Sequence, residues 1–227
     1  ALERGLISEK ETLVPLRWGD WRNYVKAVHY IVQQTNQFYK DLGLGVEEAA
    51  KKYGGLEFAV AFNKVEPAGY HTGPLYHISL MTGARHSHLD AGAYSMDEKL
   101  IASGGSLPEP EKAVEMIIEE ESWRQILNSY VLCLFGRGLY TRQLVAKSLA
   151  SLGYKYTEED LIKLGREIYY EKHKIKLEEG FKPEELRIPE RILRTPTPLG
   201  QVSETYMRRA VSRYREYLEK YSQKISL

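Results

Sequence analysis

Between residues 111 and 135, Val114, Ile117, Ile118, Ile126, Leu127, Val131 and Leu134 recur close to every 3.6 residues. A half-buried strand would need a period of two, so this run predicts one long helix whose apolar stripe must be covered by other helices. The acidic residues Glu111, Glu115, Glu119, Glu120 and Glu121 gather toward its N-terminal half, where the helix dipole favours them, and Gly136 and Gly138 stop it. Cys133, the single cysteine, falls near its C-terminal end. A lone thiol makes no internal disulfide and no multi-cysteine metal site. Either it packs as a small apolar side chain or its partners lie outside the chain.

The same period recurs elsewhere. Residues 21–40 carry Tyr24, Val28, Ile31 and Val32 at helical intervals before Gly43, and 46–52 form a short helix ended by Gly54-Gly55. Ser8 with Glu11, and Ser95 with Glu98, have capping-box spacing. Helices are predicted over 141–152, over 157–179 with Thr157 as cap, and over 204–222 with Tyr206, Val211, Tyr214, Leu218 and Tyr221 on one stripe. Residues 56–63 are the best strand candidate, being apolar and bounded by turn residues. Residues 67–90, with three glycines before the histidines His86 and His88, read as a loop-rich segment of the kind that carries chemistry on a rigid scaffold. Pro183, Pro189, Pro196 and Pro198 make 181–200 an extended strap. The expected fold is therefore mainly α, with little strand. Gly104-Gly105 and Pro108-Glu109-Pro110 divide it into a helical subdomain over 1–105 and a helical C-terminal subdomain over 106–227.

Charge excludes several functions. Thirty-two basic against 31 acidic residues leave a net charge of +1, so no strong field draws in nucleic acid or an anionic membrane. An apolar content of 43% supplies a sizeable core, and no apolar run approaches the roughly 20 residues that span a bilayer. One cysteine favours a reducing cytoplasm. Seventeen tyrosines with abundant Lys and Glu point to a thermophilic source, and the opening at Ala1 without methionine points to a processed chain or a piece of a longer one. His86, His88 and Asp90 alternate, so on an extended segment they would share a face and, with His71 or His77, could bind zinc or another divalent ion. Four histidines in such a loop are otherwise ordinary hydrogen-bonding groups. Arg208, Arg209, Arg213 and Arg215 interleave with acids and tyrosines as a solvated helix face.

Taken in order, Leu2-Glu3-Arg4-Gly5-Leu6, Leu16-Arg17-Trp18-Gly19-Asp20, Gly54-Gly55, the loop ending His88-Leu89, the hexad Asn128-Ser129-Tyr130-Val131-Leu132-Cys133, Leu177-Glu178-Glu179-Gly180-Phe181 and Ile188-Pro189-Glu190-Arg191 resemble the C-terminal half of the aldehyde:ferredoxin oxidoreductase family. The resemblance runs from about residue 1 to about residue 198. It implies the multi-helical C-terminal domains of an enzyme that oxidises aldehydes to acids, holds a tungsten or molybdenum bis-pterin, and passes electrons through a [4Fe-4S] cluster to ferredoxin. In the family the hexad reads Asp-x-x-Gly-Leu-Cys, its acid bonding a pterin and its cysteine supplying one cluster thiolate. The resemblance thus implies cofactor contacts at Asn128 and Leu132 and a cluster ligand at Cys133. His88 falls where the family has a histidine near the catalytic metal, a proton donor or hydrogen-bond partner to the substrate oxygen. The family's other three cluster cysteines lie N-terminal to everything present here. The chain alone is then expected to bind neither cofactor and to close a cavity over an N-terminal portion, with neither nucleic acid nor membrane as partner. Two residues depart from the pattern: Asn128 lacks the acid's charge, and Val131 puts a branched side chain where the family keeps close approach open. The histidine loop is also a few residues shorter, with Arg85 one place from the expected arginine. The alternative is a non-catalytic, partner-binding relative.

Overall fold

Local signals open and close most of the helices. A computed structural model of the chain describes residues 1–225, with side chains through residue 221. Among these, eleven α-helices form, and the only β pairings are the isolated bridges Phe62 to Val65 and Thr197 to Gly200. The helices fall into two compact units, residues 1–67 with 187–195, and residues 68–186 with 196 onward. Position 105 lies within the second.

The first unit holds α1 (Glu9–Thr12), α2 (Trp21–Gln33), α3 (Gln37–Leu42), α4 (Val46–Tyr53) and α10 (Glu190–Arg194). Ser8 and Glu11 form the expected capping box, the Ser8 backbone N–H donating to Glu11 Oε2 at 2.6 Å. The single helix expected over 21–40 is two. Gln34 turns left-handed at φ +51°, and Asn36 caps α3 by accepting from the Tyr39 N–H at 2.9 Å, because a short polar side chain outcompetes helical continuation there. Ala27, Phe38 and Tyr39 form the core, packed by Ile7, Leu16, Tyr30, Ile31, Leu42 and Tyr53.

The strand expected over 56–63 is absent. Residues 55–59 turn tightly, Phe58 N–H and Ala59 N–H both donating to Gly55 O at 3.1 Å, and among the described residues there is no second strand to pair with. The strap supplies the missing donors instead: Arg187 Nη1 reaches Leu56 O at 3.0 Å and Nη2 reaches Ala59 O at 2.9 Å. The strap itself is less extended than its prolines predict, since α10 forms immediately after Pro189.

The second unit holds α5 (Pro74–Thr82), α6 (Tyr94–Ser103), α7 (Pro110–Ser129), α8 (Arg142–Ser151), α9 (Glu158–Glu178) and α11 (Glu204–Ile225). Helix α7 is the hub, packing on α9 and α11. Gly165 of α9 permits the close approach: a Cβ there would lie 2.6 Å from Ser122 O of α7. Thr157 and Asp160 cap α9 as expected. Ser95 does not cap α6; it lies inside the helix and bonds Gly92 O.

Within the segment expected to be loop-rich, all nine residues of α5 form a buried helix. Pro74 starts it, and the buried Asp97 carboxylate of α6 accepts from the N–H groups of Leu75 at 3.3 Å and Tyr76 at 2.9 Å. Burial pushes the Asp97 carboxyl up to about 7. Helix α5 is buried all round, its polar His77, Ser79 and Thr82 included, so it shows no amphipathic period, and its cap comes from more than twenty residues away.

Candidate functional site

Helix α7 carries both halves of the candidate site. Arg124, 2% exposed, donates through Nη1 to His88 O at 3.2 Å and Leu89 O at 3.1 Å, and through Nε to Glu120 Oε1 at 3.2 Å. One turn on, Asn128 Nδ2 donates to Asp90 Oδ1 at 3.0 Å. Asp90 is also held by Arg85 and by Lys172 Nζ of α9 at 3.0 Å, and Lys172 bonds Gln125 Oε1 at 2.8 Å. These cations hold the buried Asp90 carboxyl below the usual carboxylate range, overcoming the desolvation that alone would raise it. The His88 loop is thus fixed to α7 and α9 at both its carbonyls and its acid.

The His88 ring is half-buried, 5.7 Å from the ring of Tyr70 and 6.3 Å from that of Tyr94. Tyr70 and Tyr94 stack at 4.7 Å, and the guanidinium of Arg137 lies 5.7 Å over Tyr94. Arg137 belongs to the loop that follows α7, so the aromatic cluster links the His88 loop to the Cys133 loop. The interior of this unit also holds buried titratable groups. Glu121 of α7 is buried, and desolvation drives its carboxyl well above the ordinary range. His173, bonded to Tyr169 O and Thr82 O, is pulled down to about 4 by burial.

The chain places Cys133 differently from the sequence reading. Helix α7 ends at Ser129, and Cys133 is an exposed free thiol in the loop beyond it. Val131 N–H bonds Asn128 O at 3.0 Å and Leu132 N–H bonds Leu127 O at 2.9 Å, the two reverse bonds of a Schellman stop. Val131 occupies its left-handed position at φ +57°, with its side chain 90% exposed. A glycine would meet this left-handed position without the steric cost that Val131 carries. Leu132 is half-buried against the cluster of Ile126, Val145, Leu149 and Leu161, the apolar contact that usually accompanies such a stop.

The histidine metal site does not assemble. His86 is left-handed at φ +48°, and Asp90 N–H and Ala91 N–H both turn back to Ser87 O, so the segment is not extended and its alternate side chains share no face. His86 Nδ1 donates to Leu80 O at 2.5 Å while Nε2 accepts from Lys176 at 2.7 Å; Asp90 is spent on the cations; His71 and His77 bond one another at 3.0 Å. Among the described residues no three His, Cys, Asp or Glu side chains could hold one ion. Sequence reasoning missed Arg124. The signal was there: seven residues beyond Ile117 and seven before Val131, it is a charge on the apolar stripe.

These features define an all-helical protein whose central helix fixes a loop histidine on one side and presents an exposed cysteine beyond its end. Residues 1–223 match the family described as aldehyde ferredoxin oxidoreductase, domains 2 and 3, and the chain belongs to that family. It is 26% identical to the tungsten-containing aldehyde ferredoxin oxidoreductase of Thermococcus kodakarensis and 25% identical to that of Pyrococcus furiosus, each match covering 87% of this chain and 34% of the relative. The chain thus spans about a third of the length of the curated relatives it matches. Among the described residues no helix is long and apolar enough to cross a membrane.

Proposed function

We propose that this chain forms the helical C-terminal part of a tungsten- or molybdenum-pterin oxidoreductase that oxidises aldehydes to carboxylic acids and passes electrons through a [4Fe-4S] cluster to ferredoxin. The bound metal and cluster would supply the two-electron oxidation and its one-electron exit. An N-terminal portion would hold most of both cofactors, with this chain closing the cavity. The observation that carries the reading is the family match over residues 1–223 combined with a free, exposed Cys133 thiol in the loop that follows the helix holding the His88 loop.

Each residue has a task suited to its surroundings. Cys133 would give one thiolate, its exposure leaving Sγ open to a metal held largely by other ligands. His88 would hold or deliver a proton at the substrate oxygen, its ring kept in place by Tyr70 and Tyr94 while Arg124 fixes its backbone. Asn128 and Leu132 would contact the pterin. Asn128 would do so through Oδ1 or through the second hydrogen of Nδ2, the first being donated to Asp90.

The test is to co-express the chain with its upstream polypeptide and measure tungsten, iron and aldehyde-dependent viologen reduction. Stable association with metal and activity, lost in Cys133→Ala and His88→Ala, supports the reading. A complex whose activity survives both substitutions overturns the two roles, and a chain that never associates leaves the non-catalytic relative as the better account.

A further inference from the structure

Helix α2 covers the core of the first unit with Ala27, Tyr30 and Ile31, yet presents a second apolar line to solvent. Trp21, Val25, Val28 and Val32 are 63%, 48%, 59% and 77% exposed, against the near-complete burial expected of a helix stripe with a partner. Their spacing of four, three and four residues is that of a coiled-coil seam. Beside the line lie Arg22, Lys26 and His29, and no acidic residue occurs between Asp20 and Asp41. Among the described residues neither Arg22 nor Lys26 forms an ion pair, while exposed arginines elsewhere in the chain, such as Arg209 and Arg215, do. Arg22 lies 4.7 Å over the Trp21 ring, beside the seam.

We propose that this face is a docking surface for an amphipathic helix whose apolar seam is flanked by acidic side chains. Seam spacing selects a helix, because knobs at this interval pack into the holes of another helix. Charge selects its flanks. Two copies of α2 face to face would set basic residues against basic residues, which disfavours self-pairing, whereas glutamates on the partner would meet Arg22 and Lys26. The surface goes beyond the oxidoreductase reading and stands or falls without it.

The test uses the whole chain and two fluorescein-labelled designed helices of the length of α2, sharing a leucine seam but flanked by Glu in one and Lys in the other, read by anisotropy. Saturable binding of the Glu-flanked helix is expected, weakened about tenfold or more by Val28→Asp, which lies on the exposed face and leaves the circular dichroism unchanged. The double variant Arg22→Glu/Lys26→Glu should exchange the preference toward the Lys-flanked helix. Failure of the Glu-flanked helix to bind, equal binding of both, or indifference to Val28→Asp would overturn the proposal. So would a chain dimer in sedimentation that Val28→Asp dissolves, or tighter binding to phosphatidylserine vesicles than to the Glu-flanked helix.

Discussion

The Schellman stop of α7 sets a β-branched side chain against its backbone, and the cost can be worked out. An L-residue in the left-handed region is disfavoured by about 1–2 kcal/mol, and Val131 sits there at φ +57°. Its side chain is 90% exposed, so no more than a tenth of the roughly 1.5–3 kcal/mol available from burying valine is at stake. Val131→Gly removes the strain but widens the unfolded ensemble, at a cost of about 0.4–1 kcal/mol. The net is a stabilisation of about 0.5–1 kcal/mol, or a rise of about 1–4 °C in Tm for a chain of this size. Val131→Ala keeps a Cβ and should recover less. Urea unfolding followed by far-ultraviolet circular dichroism measures the midpoint, with an unchanged m value showing that stability has changed and the surface exposed on unfolding has not. A lower midpoint for Val131→Gly would refute the argument. So would a gain for Val131→Ala equal to that of glycine, since branching and not handedness would then be the cause.

Other outcomes follow from particular contacts. Asp97 titrates near 7 when folded and near 3.9 when unfolded, so the folded state holds the extra proton; its stabilising contribution is full below about pH 4 and falls as pH rises to about 7. Thermal melts should show wild type losing stability relative to Asp97→Asn across that window, and parallel pH profiles would count against the buried carboxyl. Gly165→Ala gains about 1 kcal/mol of helix propensity but drives a Cβ to 2.6 Å from the Ser122 carbonyl, overpacking that costs about 1–3 kcal/mol against a backbone that cannot rotate away. A lower Tm is expected, and a higher one would show that α7 and α9 can separate freely. Cys133→Ala should change stability by less than about 0.5 kcal/mol, and the native thiol should react promptly with Ellman's reagent. A thiol that reacts only in denaturant would contradict its exposure.

How far the fold can be read from the sequence depends on where each signal lies. Helices α8 and α9 announce themselves because their caps and stops sit within the same twenty or so residues, and α11 does so by its apolar stripe. Helix α5 does not, since it is buried on every side and capped by Asp97 from α6. The end of α7 was read past because Val131 hides the glycine that ordinarily marks such a stop. Residues 56–63 have strand composition but no partner strand, and the guanidinium that takes their carbonyls lies about 130 positions away in sequence. The candidate residues His88, Asn128 and Cys133 came from resemblance. Their connection through Arg124, Asp90 and Lys172 depends on long-range hydrogen bonds that no local pattern encodes.

Arg124 and Asn128 stand one turn apart, about 6 Å along the axis of α7, and each grips the same loop. This makes residues 120–128 intolerant of insertions and deletions. One added residue would rotate everything beyond it by about 100°, and the Asn128 grip on Asp90 and the exit toward Cys133 would turn together relative to Arg124. Length variation among relatives should therefore collect in the histidine loop and after Cys133, while the spacing between these two positions stays constant.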